Sequence, residues 1–184
     1  MTASNAPSDT SPASDQLERI AAAATGKREQ RKQIDMGHYG IRIAADGTWY
    51  HQGAPFTRLA LVKLFATILH RDDDGGYSLR TPVEHGKITV DDAPFTIVEA
   101  WYDDTGSPEM TSRRLMLRTN IDRIVTADTD HRIRVVTDPE TGEPRPYIDT
   151  GNNLDALILR SVFYDLVDKA ESLERDGETV LGLW

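Results

Sequence analysis

The chain has 184 residues, no cysteine, 21 Lys+Arg against 30 Asp+Glu, and a formal net charge of -9. Zero Cys excludes disulfide scaffolds, thiolate nucleophiles, Cys-ligated zinc and iron–sulfur clusters, and no apolar run approaches the ~18 residues of a membrane-spanning helix. The first 35 residues balance five basic against five acidic side chains, so the whole negative charge sits on the other 149, a body that phosphate backbones repel.

Met1-Thr2-Ala3-Ser4 offers neither a basic n-region nor an apolar h-region, so the reading is a soluble cytoplasmic protein without a signal peptide. Residues 1–15 are small, polar and rich in Ser and Pro, and read as a disordered tail. Asp15 is placed to cap a helix from about 16, with Leu17, Ile20, Ala21 and Ala24 on one stripe. Its charged second half, Gly26 to Lys32, is a fraying helix or a linker, and this N-terminal region extends to residue 35.

From residue 38 the pattern is β. Ile41-Arg42-Ile43 alternates, Asp46-Gly47 signals a hairpin turn, and Trp49-Tyr50-His51 returns. Thr57 is expected to cap a helix over about 58–70, with Phe56 and Leu61 as a hydrophobic staple. Its apolar residues fill roughly 220° of the helical wheel, as a core helix requires. Asp72 to Gly76 turns the chain. Short strands are then predicted at Tyr77–Leu79, Pro82-Val83, Lys87–Val90, Phe95–Tyr102, Arg114–Thr119, Asp122–Ala127 and Arg132–Thr137, with a hairpin loop from Asp103 to Met110.

The last third echoes the first. Ile133–Val136, the Pro139–Gly142 turn and Pro146-Tyr147-Ile148 precede a second apolar helix expected over about Asn153–Lys169. Strand, Gly turn, aromatic strand and helix thus occur twice, about 95 residues apart, as in a tandem repeat. Asp176-Gly177 leads into a last strand, Glu178–Trp184. The expected fold is α+β, with two repeat-like halves, 36–95 and 96–184. Each is a curled, mostly antiparallel sheet on one apolar helix.

Phosphate-cradle and nucleophile-elbow motifs are missing from the sequence. Asp72-Asp73-Asp74-Gly75-Gly76 fails as a calcium loop, because its fifth, sixth and twelfth positions are Gly76, Tyr77 and Val83. No two of the five histidines share metal-ligand spacing, so no metal or cofactor is expected. His51 stands out beside Gly53, where a turn leaves an open face. Asp91-Asp92 either raises one pKa for acid–base work or forms a turn before Pro94. Tyr147 completes the candidates from the second aromatic strand. Arg160 sits among apolar residues of the second helix and is expected buried, paired with Asp91, Asp92, Asp155 or Asp165, or with an anionic ligand. Arg113, Arg114, Arg118, Arg132 and Arg134 form the one basic concentration, for an anion or for cross-strand pairing.

Several strings together resemble one bacterial family. They are Asp46-Gly47-x-Trp49, His51-x-Gly53-x-Pro55, Leu61-Val62-Lys63-Leu64-Phe65, Gly76-Tyr77-x-Leu79-x-Thr81-Pro82 and Ile88-x-Val90-Asp91-Asp92-Ala93-Pro94-Phe95, with Pro146-Tyr147, Leu157-Ile158-x-Arg160 and Tyr164-x-Leu166. Over about residues 36–184 the chain resembles the domain of unknown function 1285 (DUF1285). The resemblance implies an α+β molecule of two related halves and a part in bacterial signalling or regulation, with no catalytic residues to carry over. It also implies a Ser/Gly-containing extension after a Gly-x-Trp such as Gly182-Leu183-Trp184. Two functions are weighed. One is a non-enzymatic cytoplasmic module binding a protein partner or a small anionic ligand; the other is an enzyme, such as a hydrolase, using His51, Asp91, Asp92 and Arg160. Neither nucleic acid nor membrane is an expected partner.

Overall fold

The computed structural model describes residues 12–25, 33–103, 114–175 and 178–182. These fall into two compact units, Met1–Arg42 with Trp49–Thr89, and Ile43–Thr48 with Val90–Trp184. The fold is α+β, with two six-stranded sheets.

The first unit begins with helix α1, Pro12–Thr25. The helix starts earlier than the expected tail allowed, since proline suits a first helical turn, and Asp15 lies inside that turn instead of capping it. Residues 1–11 and the charged linker at 26–32 lie outside the described residues. The first sheet has the order β3-β2-β1-β6-β5-β4. Its strands are β1 Ile34–Ile43, β2 Trp49–His51, β3 Ala54–Pro55, β4 Leu69–Arg71, β5 Tyr77–Arg80 and β6 Glu84–Val90. Along β1, Tyr39, Ile41 and Ile43 are buried and Gly40 and Arg42 exposed, the two-residue period of a half-buried strand.

Helix α2, Leu59–Thr67, buries Val62 and Phe65, three apart on one face. Phe65 joins Trp49 and Phe56 in an aromatic cluster with centroids 5.8–6.5 Å apart. Two expectations fail here. Arg58, not Thr57, is the N-cap residue and makes no side-chain cap. The helix also stops at Thr67, and Leu69–Arg71 becomes β4, with Leu69 opposite Leu79. A short apolar run at a helix end carries no periodicity that separates one more turn from a buried strand. Pro82-Val83 is not a strand either. The Thr81 hydroxyl bonds to Glu84 O and receives the N–H groups of Val83 and Glu84, making a local turn.

The second unit holds the Asp46-Gly47 turn. There Gly47 takes φ +82° and its carbonyl accepts the Asn120 side-chain amide at 3.0 Å. A Cβ on Gly47 would stand 2.6 Å from Asn120 Nδ2, so only glycine fits. The second sheet has the order β10-β11-β12-β7-β8-β9. Its strands are β7 Phe95–Asp103, β8 Arg114–Thr119, β9 Ile124–Thr126, β10 Ile133–Thr137, β11 Pro144–Asp149 and β12 Asp155–Ile158. Helix α3, Arg160–Asp168, buries Val162 and Leu166 and packs against β7. A hairpin of β13, Glu171–Arg175, and β14, Glu178–Gly182, follows. The expected 103–110 loop and the Asp176-Gly177 turn fall largely outside the described residues.

The second helix was expected from Asn153, yet Asp155–Ile158 is a central strand, parallel to β7 with Ala156 opposite Phe95. Asn152 and Asn153 take φ 57° and 58°, a left-handed turn that releases the chain into the strand. This also changes the repeat. Each sheet contains two three-stranded meanders, with the first and sixth strands side by side at the centre, β1·β6 and β7·β12. The structural repeat therefore aligns Ile34 with Phe95, not the first helix with the last.

Candidate functional site

The second unit gathers Asp92 and Tyr147. Along β11, Pro146 and Ile148 point inward, leaving Arg145 and Tyr147 on the wetter face. Asp92, in the segment before β7, accepts Arg145 Nη2 at 2.5 Å and the Tyr147 hydroxyl at 2.8 Å. Arg145 Nη1 also lies 3.6 Å from Asp138. Register places Arg134 opposite Tyr147. The Arg134 guanidinium lies 5.2 Å from that ring's centroid and forks onto both Asp155 oxygens at 2.7 Å. Burial, then the hydrogen bond to Asp92 and its charge, push the Tyr147 phenol up to about 12. Asp92 is therefore engaged by two donors, and Tyr147 stays protonated at neutral pH. Asp91 beside it is exposed, and its N–H donates to Ile43 O at 2.9 Å.

Arg160 is not buried. It is the first residue of α3, its side chain is 67% exposed, and it pairs with Glu143, none of the four expected partners. Starting the helix at 160 instead of 153 puts this residue at a solvated helix end. With Asp138, Glu143, Arg145 and Leu157 it lines a cleft of about 230 Å³. Of the other basic residues, Arg114 pairs across strands with Asp103 at 2.8 Å and Arg118 with Glu99 at 2.8 Å; Arg118 also meets Asp122 of the following turn at 3.3 Å, and Arg132 donates to the Thr129 carbonyl at 2.9 Å. Arg113 lies outside the described residues. Arg134, Arg145 and Asp138 complete the network around Tyr147. Sequence reading placed Arg134 only in a basic concentration, and strand alternation was the signal that could have set it beside Tyr147.

His51 belongs to the first unit, apart from the Asp92–Tyr147 group. It is 6% exposed, bonds through its ring to the Tyr39 backbone, and has its pKa lowered by burial. Its Nε2 is buried without a partner, as is Trp49 Nε1. Burial and the charge of Glu84 hold the Tyr39 phenol above its usual range, while Arg19 of α1 reaches Glu84 at 3.8 Å. The Tyr39 ring lies on Gly86, where a Cβ would come within 2.6 Å of it.

A second opening in this unit, about 510 Å³, is lined by Asp35, His38, Asp72, Asp74, His85 and Lys87 among others. Two of its carboxylates are engaged by side chains of the same unit. Asp72 accepts Ser78 and Arg80 at 2.6 Å each, and Asp74 accepts Lys87 at 2.8 Å. Among the described residues no group of three or more His, Asp or Glu is placed to hold a metal ion. Among them, too, no helix is long and apolar enough to cross a membrane.

Two family models match in tandem: residues 30–93 fit the N-terminal domain of DUF1285, a domain of unknown function, and residues 94–184 its C-terminal domain. The chain belongs to the DUF1285 family. A crystal structure of a DUF1285 family protein from Silicibacter pomeroyi DSS-3 is 36% identical, with TM-score 0.72, covering 89% of this chain and 92% of that one. A second, from Shewanella baltica OS155, is 27% identical with TM-score 0.53, covering 71% and 91%. No curated protein matches the chain. The DUF1285 description names no activity, so function is argued from the chain's own geometry.

Proposed function

We propose that this DUF1285 protein is a non-enzymatic cytoplasmic module, regulatory or signalling in role, that binds a small ligand or a protein partner. One observation carries the reading: the polar groups suited to chemistry are engaged with one another. Asp92 is held by Arg145 and Tyr147, and Arg160 by Glu143. A general base must be free to reach its substrate's proton, and a carboxylate tied to two side chains of its own chain is oriented by them instead. His51, the remaining candidate, sits in the other unit with its ring bonded to the Tyr39 backbone.

Thermal shift of the full chain against nucleotides, acyl and sugar phosphates and divalent metals tests the reading. A binder present at about a hundred times its Kd raises stability by roughly 2.7 kcal/mol. The expected result is a saturable shift without consumption of the compound. No shift across that panel points to a protein partner, and turnover of any compound would overturn the non-enzymatic reading.

A further inference from the structure

The first unit carries a cleft of about 500 Å³ between α1 and the segment running through β3 into α2. That volume lies within the roughly 300–1,000 Å³ of sites for small organic molecules. Leu17, Phe56 and Leu61 supply half-buried apolar walls, and Glu18, Arg58 and His51 supply the polar groups. Glu18 and Arg58 line the same cleft with opposite charge, and among the described residues neither is in an ion pair. His51 is more than nine-tenths buried, and its Nε2 has no partner. The ring's bond to the Tyr39 backbone raises its basicity, so the ring nitrogen there is the donor and the backbone carbonyl the acceptor. In the neutral ring this leaves Nε2 with a lone pair closed off from solvent, so His51 forms part of the cleft's floor and is not a ligand contact.

A cation and an anion without ion-pair partners, set on one cleft with an apolar wall, together describe one kind of ligand. We infer that this cleft binds a small zwitterion of amino-acid type, its carboxylate on Arg58 and its ammonium toward Glu18. The ligand's apolar side chain packs on Leu17, Phe56 and Leu61. The inference rests on the binding-module reading and names the ligand class for one site within it. A purely anionic ligand leaves Glu18 opposed to it; a purely cationic one leaves Arg58 unmatched.

The test is thermal shift and calorimetry on the full chain with individual L-amino acids at roughly 10 mM. Matched compounds keep the same side chain but carry the carboxylate alone or the amine alone. An amino acid with an apolar side chain is expected to give a saturable shift, and each single-charge analogue to bind at least about tenfold more weakly. Arg58→Ala and Glu18→Gln change exposed side chains, so both variants should keep the ligand-free Tm and lose the amino-acid shift. The inference is overturned if no amino acid binds, or if binding survives both substitutions. Should another compound bind where amino acids fail, this site falls while the binding-module reading stands. Should a bound amino acid be consumed in an Arg58-dependent way, the site stands and the non-enzymatic reading falls.

Discussion

The two units treat buried polarity differently. Buried side-chain polar atoms without a partner occur at Trp49, His51 and His85 of the first unit, against Thr96 in the second, among the described residues. The second unit instead closes its polar groups into a chain, Asp155–Arg134–Tyr147–Asp92–Arg145, with each link a charged hydrogen bond or a cation–π contact. A satisfied network stabilises and fixes one geometry, whereas a buried polar atom without a partner costs roughly 1–3 kcal/mol. Such a cost is consistent with a region held for recognition. The contrast puts a closed polar network in the second unit, and the proposed binding cleft lies in the first.

The largest expected effect tests the second unit. Asp92→Ala removes the acceptor from Tyr147 and Arg145 together and should lower unfolding stability by about 2 kcal/mol, measured by urea denaturation. The figure is discounted because Arg145 is 36% exposed and recovers water. A loss below about 0.5 kcal/mol would mean the network does not hold the unit together, and the comparison breaks.

A smaller effect tests the first unit through pH. Burial lowers the pKa of His51 below its ordinary 6.5, so the unfolded chain takes up this proton at a higher pH than the folded one. Its contribution is fully present above pH 6.5 and is lost as pH falls from there through the depressed folded-state value. Urea midpoints across this window should fall with decreasing pH more steeply in the wild type than in His51→Gln. Equal slopes would show that His51 titrates as a solvated imidazole, and the sharpest polar difference between the units disappears.

The smallest effect concerns Arg160→Ala. An exposed pair with Glu143 should be worth no more than about 0.5 kcal/mol, again by urea denaturation. A loss of about 3 kcal/mol or more would bring back the buried arginine expected from the sequence.

Particular elements show why some of this was legible and some was not. The Asp46-Gly47 hairpin could be read because only glycine takes that φ readily, and α2 could be placed because its apolar residues recur at helical spacing. Leu154–Leu159 could not be resolved between helix and strand. A six-residue stretch that is apolar except at Asp155 is too short to separate the two periods, and pairing with β7, some sixty residues earlier in the chain, made Asp155–Ile158 a strand. That one reassignment moved Arg160 from an imagined core to a solvated helix end. At the candidate site, Asp92 and Tyr147 were picked out singly. Their bond, and the joining of Arg145 and Arg134 to them, depend on residues 53 and 55 apart and on strand register.

Local chemistry in the sequence by itself determined an α+β chain without a thiol- or cysteine-metal-based site, its tight turns, and membership in a two-part family. Those properties depend on composition and on neighbours a few residues apart. Tertiary structure alone decided that β1 lies beside β6 and β7 beside β12, that Asp92 is engaged while His51 Nε2 is not, and that Glu18 and Arg58 share one cleft. Each of these depends on long-range pairing, where the free energy of burying and matching groups is set by partners that no local pattern names.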